Sequence, residues 1–306
     1  MARRTFQSVL LSVLLACGAC STTEGNVLTS IGDGDGGNNG NGDAGGGNGD
    51  GGAGGDAMVV CATDGECPAP APGDTTLCGY VLDIETSIPI GSDAAEIPVV
   101  RIFELLEFTT NPNNADAVAE VTPDACGWFS VTIDALFGFT VVHTGNEELT
   151  SSSPFINVAS NVSAGAGQIV RVNAYAMRDE VDTQWSDSAG LVGTFSGGGA
   201  FVMMYIDVSA APVSPFQGTP ASGVTIDVSG PIPGGVDYYF ADDGALSRST
   251  IDTNATTTLT SGAGILLQPP SLSTIGGDHA SCSFSDINAL ALPGLVQAQE
   301  LDGTCN

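Results

Sequence analysis

The chain has 306 residues, 35 acidic against 6 basic side chains, a formal charge of −29 and no lysine. That balance argues against nucleic-acid binding, which needs clustered Lys or Arg to neutralise phosphate, and against anchoring by a polybasic patch on anionic lipid. It also rules out a G-x-x-x-x-G-K-[ST] phosphate loop and a Schiff-base lysine. In chain order, residues 1–16 read as an export signal, with Arg3 and Arg4 as the positive end and Phe6–Ala16 as the apolar stretch. As a helix that stretch would rise roughly 16 Å, well short of a ~30 Å hydrocarbon core.

The run Leu14-Leu15-Ala16-Cys17 resembles the lipobox of bacterial lipoproteins. The resemblance implies cleavage before Cys17 and lipidation of that cysteine, where several acyl chains together make retention stable. From Gly32 to Asp56 the chain uses only 14 Gly, 5 Asp, 4 Asn and 2 Ala. Such a segment buries almost no apolar surface and loses the most entropy on ordering, so it predicts a disordered, hydrated coil. Residues 17–56 therefore read as a lipidated flexible tether. The aspartates lack the regular spacing of a calcium-binding repeat.

After Cys17 and Cys20 six cysteines remain: Cys61, Cys67, Cys78, Cys126, Cys282 and Cys305. An even number in an exported chain suggests three disulfides, and paired C-x₂-C zinc spacings are absent. Proximity along the chain favours Cys61–Cys67, Cys78–Cys126 and Cys282–Cys305.

Residues 57–77 form a Cys/Pro collar, stiffened by Pro68, Pro70 and Pro72. Short runs rich in Val, Ile, Phe and Thr and bounded by Gly, Pro, Asn and Asp then predict strands at 78–84, 99–106, 127–133, 137–143, 156–160 and 168–175. Met177, Val181 and Trp185, spaced by four, predict a helix over 176–185 that docks on a sheet. The glycines of 196–200 interrupt the pattern. Strands follow at 201–208, 223–228, 236–240, 256–260 and 265–268, with a last stretch from Cys282 through 295–301. The grammar repeats, which divides the body into sandwich units at 78–185, ending in the helix, and 190–306.

Three segments resemble the carboxypeptidase regulatory-like family, a transthyretin-like sandwich group. Cys78-Gly79-Tyr80-Val81-Leu82-Asp83 resembles its opening Gly-x-Val-x-Asp strand, and Ile97-Pro98-Val99-Val100-Arg101-Ile102 its proline-led second strand. Thr122-Pro123-Asp124-Ala125-Cys126-Gly127-Trp128-Phe129 is similar to its Thr-x-x-x-Gly-x-Phe signature, with one extra residue between Thr122 and Gly127. Segments 222–228, 232–240 and 258–265 resemble the same three elements in the second half. The resemblance implies an all-β body of tandem Greek-key sandwiches after the tether, of a kind that accompanies, binds or positions other modules.

The residues that could carry chemistry are few. His143 and His279 lack an H-E-x-x-H context, and no G-x-S-x-G elbow occurs. Glu104 with Glu107, or Glu147 with Glu148, could supply a hydrolase's acid pair, although 35 acids make such pairs common. Tyr238, Tyr239 and Trp185 could stack on sugar rings as a carbohydrate-binding module. The leading expectation is a non-enzymatic cell-envelope lipoprotein at the outer membrane or cell surface, held by its lipid. It would meet an envelope protein or glycan through its sandwiches, without metal or cofactor.

Overall fold

The computed structural model describes residues 65–91, 97–110, 115–134, 138–145, 154–213, 218–229, 235–244, 246–267 and 272–306. The export signal, Cys17, the tether and Cys61 lie outside the described residues, as do Glu147 and Glu148. Residues 57–306 belong to one compact unit.

That unit is mostly strand. The first half holds β1 (Asp74–Asp83), β2 (Val100–Glu104), helix α1 (Leu105–Thr110), β3 (Ala119–Val121), β4 (Trp128–Asp134) and β5 (Gly138–Thr144). It continues with β6 (Phe155–Ile156), β7 (Val158–Ala164), β8 (Ile169–Arg171) and β9 (Ala174–Arg178). Helices α2 (Asp179–Ser188) and α3 (Phe195–Gly198) lead into β10 (Ala200–Asp207) and β11 (Thr219–Pro220). Then come β12 (Thr225–Ser229), β13 (Val236–Phe240), β14 (Ile251–Asp252), β15 (Ala263–Leu267) and β16 (Leu272–Asp278). The last are β17 (Cys282–Phe284), β18 (Ile287–Leu290) and β19 (Val296–Cys305).

One sheet has the order β4-β1-β9-β6, with β8 also on β1. A second runs β14-β13-β15-β10-β19-β7-β5-β2-β3, with β11 on β10 and β17 on β19. The third is β12-β16-β18. Inward residues of β1, β4 and β9 meet those of β2 and β5 in a first core containing Leu77, Val81, Val100, Ile102, Phe129 and Val142. Inward residues of β10, β13 and β15 meet the third sheet in a second core containing Met203, Tyr205, Val224, Tyr239 and Ile275.

Between them lies a central core drawn from both halves. It joins Tyr80, Leu82, Tyr175 and Met177 to Val202, Met204, Phe240, Ile265 and Ala298, with Trp185 of α2 among them. Side chains alternate along a strand, so β1 gives Leu77 and Val81 to the first core and Tyr80 and Leu82 to the central one. In the same way β10 gives Phe201, Met203 and Tyr205 to the second core and Val202, Met204 and Ile206 to the central one. Both strands are therefore buried on two faces, which accounts for their near-continuous apolar runs. The sheet also crosses between the halves: β19 runs parallel to β10 from Ala200↔Val296 to Asp207↔Gly303, and pairs with β7 at Val158 and Ala159. The N-terminal and C-terminal halves of this unit are fused through a shared sheet and a shared core.

Several expected elements shift. The stripe Met177, Val181 and Trp185 does enter one core, but Met177 belongs to β9 and the helix begins only at Asp179. Three acids in the first turn of α2 favour its N-terminus, and Gly190 at φ 70° turns the chain back so that Leu191 N donates to the Ser186 carbonyl at 2.9 Å. The run 99–106 leaves the sheet at Glu104 and coils into α1, which places Phe108 against Phe103. The threonine run 256–260 is not a strand. Thr258 Oγ1 donates to the Ala221 carbonyl at 2.8 Å and accepts from Val224 N at 3.0 Å, pinning an irregular loop to the segment that leads into β12.

Cysteine pairing also departs from proximity. Cys67 bonds Cys78, so neither Cys61–Cys67 nor Cys78–Cys126 forms. The collar folds back onto β1 with Cα atoms 5.9 Å apart. Cys282 and Cys305 are bonded across the β17–β19 ladder, where they are directly opposed. Cys126 is disulfide-bonded as well.

Gly79 marks the place where β1 changes neighbour from β8 to β9. Val172 N donates to the Cys78 carbonyl at 2.9 Å, and a Cβ on Gly79 would lie 1.8 Å from the Val172 carbonyl oxygen. The expected outcome for Gly79→Ala is a loss of more than about 2 kcal/mol, from forced backbone displacement in a packed interior. Urea unfolding checks this, and a loss below about 0.5 kcal/mol would contradict the geometry.

Candidate functional site

The buried ionisable groups of the central core gather where the halves meet. β1 ends in a tight turn built by Asp83, whose Oδ1 accepts from Glu85 N and Thr86 N, each at 2.9 Å, and from Thr86 Oγ1 at 3.1 Å. Ser87 follows at φ 55°, a left-handed conformation that a residue with a Cβ rarely adopts. Arg248, from the second half, is completely buried against this turn. Its backbone N donates to the Glu85 carbonyl at 2.8 Å, its Nε to the Ile84 carbonyl at 2.5 Å, and its Nη2 to Ser87 Oγ. Its carbonyl accepts from Trp185 Nε1 at 2.5 Å, while Nη1 is buried without a hydrogen-bond partner.

Nearby, the Tyr175 hydroxyl of β9 donates to Glu300 Oε1 of β19, and Asn173 Nδ2 donates to the same oxygen at 3.2 Å. Burial holds the Glu300 carboxyl above the usual carboxylate range, although its two hydrogen bonds and Arg248 favour the anion. Burial, then the charge of Glu300, pushes the Tyr175 phenol well up. Burial pulls Arg248 down, opposed by Tyr175, Glu300, Asp83 and Glu85. Most of the polar capacity of this cluster is spent on backbone and neighbouring side chains. Chemically it is a clamp, in which a guanidinium from one half holds a strained turn of the other.

The remaining sequence candidates are scattered. Trp185 is sealed in the central core edge-on to Phe240, with ring centroids 4.7 Å apart. Tyr239 is sealed in the second core, its hydroxyl donating to Asp237 Oδ2 at 2.8 Å and accepting from Ile226 N at 3.0 Å. Tyr238 is half-buried against Phe195. The expected sugar-stacking platform is therefore not assembled, because alternation along β13 sends Tyr238 and Tyr239 to opposite faces and the helix stripe carries Trp185 inward. Glu104 and Glu107 are both exposed, and Glu107 Oε1 accepts from Asp116 N at 3.3 Å. Among the described residues, no group of three or more His, Cys, Asp or Glu is placed to hold a metal ion. A shallow groove of about 520 Å³ beside α3 is lined by Leu191, Val192, Thr194, Leu267 and glycines, and its one hydroxyl, on Thr194, caps α3 by accepting from Gly197 N.

The two histidines serve different halves. His279 is half-buried in the loop after β16, where its Nδ1 accepts from Ser281 N at 3.1 Å. His143 is buried beneath α1, its Nε2 3.1 Å from Asn157 Oδ1 and its ring 5.8 Å from Phe103 and 5.9 Å from Phe108. Burial lowers its pKa to about 4, helped by Arg101 and opposed by the bond to Asn157.

No family model and no curated protein matches the chain. Among solved structures, the chain is similar over 76% of its length to the TIE protein of Bacillus anthracis, at 10% identity and a TM-score of 0.22, and it spans only 34% of that protein. It is similar over 77% of its length to 98% of the shaft pilin SpaA of Lactobacillus rhamnosus GG, at 11% identity and a TM-score of 0.22. For the minor pilin GBS52 of Streptococcus agalactiae, the figures are 76% of this chain, 96% of that one, 13% identity and 0.23. At these scores none of the likenesses carries over a partner or an activity.

Two measurements test the clamp and the buried histidine. Arg248→Met should cost about 3–5 kcal/mol, the scale for breaking a buried polar network, and fluorescence and circular dichroism should still report one shared urea transition. A cost below about 1 kcal/mol would show that the halves do not depend on this contact, and two separate transitions would show that the shared core alone does not couple them. His143 in the unfolded chain takes up its proton near the ordinary value of about 6.5, above the folded value. Its contribution is therefore complete above that pH and falls as pH drops toward 4, by about 3 kcal/mol. The stability gap between wild type and His143→Gln should shrink by that amount between pH 7 and 4. A constant gap would refute the assignment.

Proposed function

We propose that the chain is an exported, lipid-anchored protein of a bacterial cell envelope that displays a rigid β body for structural or protein contacts and performs no catalysis. Residues 1–16 are the signal, Cys17 carries the lipid, and residues 17–56 hold the body away from the membrane at the outer membrane or cell surface. The observation that carries this reading is the cross-linked body, with Cys67 bonded to Cys78 and Cys282 to Cys305. Such bonds persist where thiols are not kept reduced. The lipobox-like run before Cys17 and the Gly/Asp/Asn segment after it agree with that compartment.

A transthyretin-like build for 78–185 and 190–306, behind the collar at 57–77, is supported by the roles of the family-like residues. Gly79 admits a neighbouring carbonyl, Val81 fills the first core, and Asp83 caps a turn. Asp124 Oδ1 accepts from Cys126 N and Trp128 N, Gly127 turns at φ 77°, and Phe129 fills the first core.

The test is the intact mass and fractionation of protein made in an exporting bacterial host. The expected product begins at Cys17, carries a lipid increment and partitions with membranes, while Cys17→Ala loses both properties. A soluble wild-type product without added mass would overturn the proposal.

A further inference from the structure

The face of the large sheet beneath α1 carries a polar cluster that the clamp does not use. One row of that face crosses four strands, with Arg101 of β2, His143 of β5, Ala159 of β7 and Gln297 of β19 opposed in turn. Asn161 follows Ala159 by two residues along β7 and so shares the face. Among the described residues, six buried side-chain polar atoms have no hydrogen-bond partner, and three of them stand here: His143 Nδ1, Asn161 Oδ1 and Gln297 Oε1. His143 is 2% exposed and Gln297 6%. Along the row, only the methyl group of Ala159 comes between the imidazole and the Gln297 side chain.

The backbone ladder gives way at the same place. β7 and β19 join the N-terminal and C-terminal halves, but they pair only at Val158 and Ala159. Beyond that point side chains make the contacts. Ser160 Oγ donates to the Ala298 carbonyl at 2.7 Å, and Asn161 N donates to Gln299 Oε1 at 3.2 Å. Asn161 and Gln299 are only half-buried, so the parting of the strands leads toward solvent.

The chemistry of the three atoms selects the ligand. With Asn157 Oδ1 facing His143 Nε2 at 3.1 Å, Nε2 carries the ring proton and Nδ1 is an acceptor. The cluster therefore presents three acceptors and lacks a donor, and buried acceptors left unpaired are costly. A cation would have to shed its own water onto neutral ligands, in the same row as the Arg101 guanidinium, which disfavours it. Water donates twice, carries no charge and is the usual partner of such groups.

We infer that His143 Nδ1, Asn161 Oδ1 and Gln297 Oε1 form a binding site for ordered water, which bonds the N-terminal half to the C-terminal half where their backbone ladder ends. The seam between the halves is thus continued by solvent beyond Ala159, and Gln297 is its contact on the C-terminal side.

The test uses the full oxidised chain at pH 7 and the variant Gln297→Met, which keeps the side-chain length and removes the amide. The chain has only two histidines, so the Hε1 proton of His143 is readily assigned. In nuclear Overhauser spectra it should show a cross-peak to water with the sign of a long-lived bound molecule, and Gln297→Met should lose that peak. Urea unfolding should show the folded-to-unfolded ratio falling by about five- to tenfold in the variant, the size of one ordinary hydrogen bond. If the amide oxygen were simply unpaired, the same substitution would leave that ratio unchanged or raise it, and either result overturns the inference. So does a wild-type spectrum without the cross-peak, or a peak that persists at full strength in Gln297→Met. Should the variant not fold, the wild-type spectrum decides: the cross-peak supports the water site, and its absence overturns it.

Discussion

The structure depends on two strands, β1 and β10, each buried on both faces. A sandwich strand ordinarily has one wet face and one dry face. Here β1 supplies the first and central cores, and β10 the second and central ones. Each layer is thereby held by its neighbours, and β19 closes the arrangement by pairing with β10 along its length and with β7 at its start.

Scarcity of positive charge shapes the rest. After residue 16 the chain has four arginines, and each has an internal partner. Arg101 Nε donates to Glu120 Oε1 at 2.8 Å, Arg171 lies over Trp128, Arg178 lies 5.0 Å from the Phe155 ring, and Arg248 is buried in the clamp. A body with so few cations holds its seams with aromatic contacts, carbonyl acceptors and disulfides in place of surface ion-pair networks. The buried carboxyls of Glu300 and Asp182 are shifted upward chiefly by desolvation, with hydrogen-bond donors from Tyr175, Asn173 and Ser196 favouring the anions.

Local features were readable from the residues, and distant pairings were not. Gly79, Asp83, Asp124 and Gly127 belong to the family-like segments, and the structure places each at a turn or close approach, where backbone conformation is a local matter. The apolar run at 201–208 announces a strand, but which strands flank it depends on β15 and β19, far along the chain. Met177, Val181 and Trp185 share a core, yet their spacing of four suited a helix so well that it concealed the strand end at Arg178. Cys67 lies closer in sequence to Cys61 than to Cys78, and only the return of the collar onto β1 reverses that preference. Arg248 sits in a Ser-Arg-Ser-Thr stretch with no periodicity, and its burial follows from the Asp83–Ser87 turn, which comes from the other half. Tyr238 and Tyr239 showed their alternation in the sequence, but not that one face would be sealed by a third sheet.

The shared central core also bears on how such a protein can be inherited. Severing the chain beside α2 would leave each portion with a raw oily face, and the C-terminal strand would lose its contact with β7. Neither portion is a free cassette for transfer into another gene, so duplication or exchange would have to move the pair as an indivisible block.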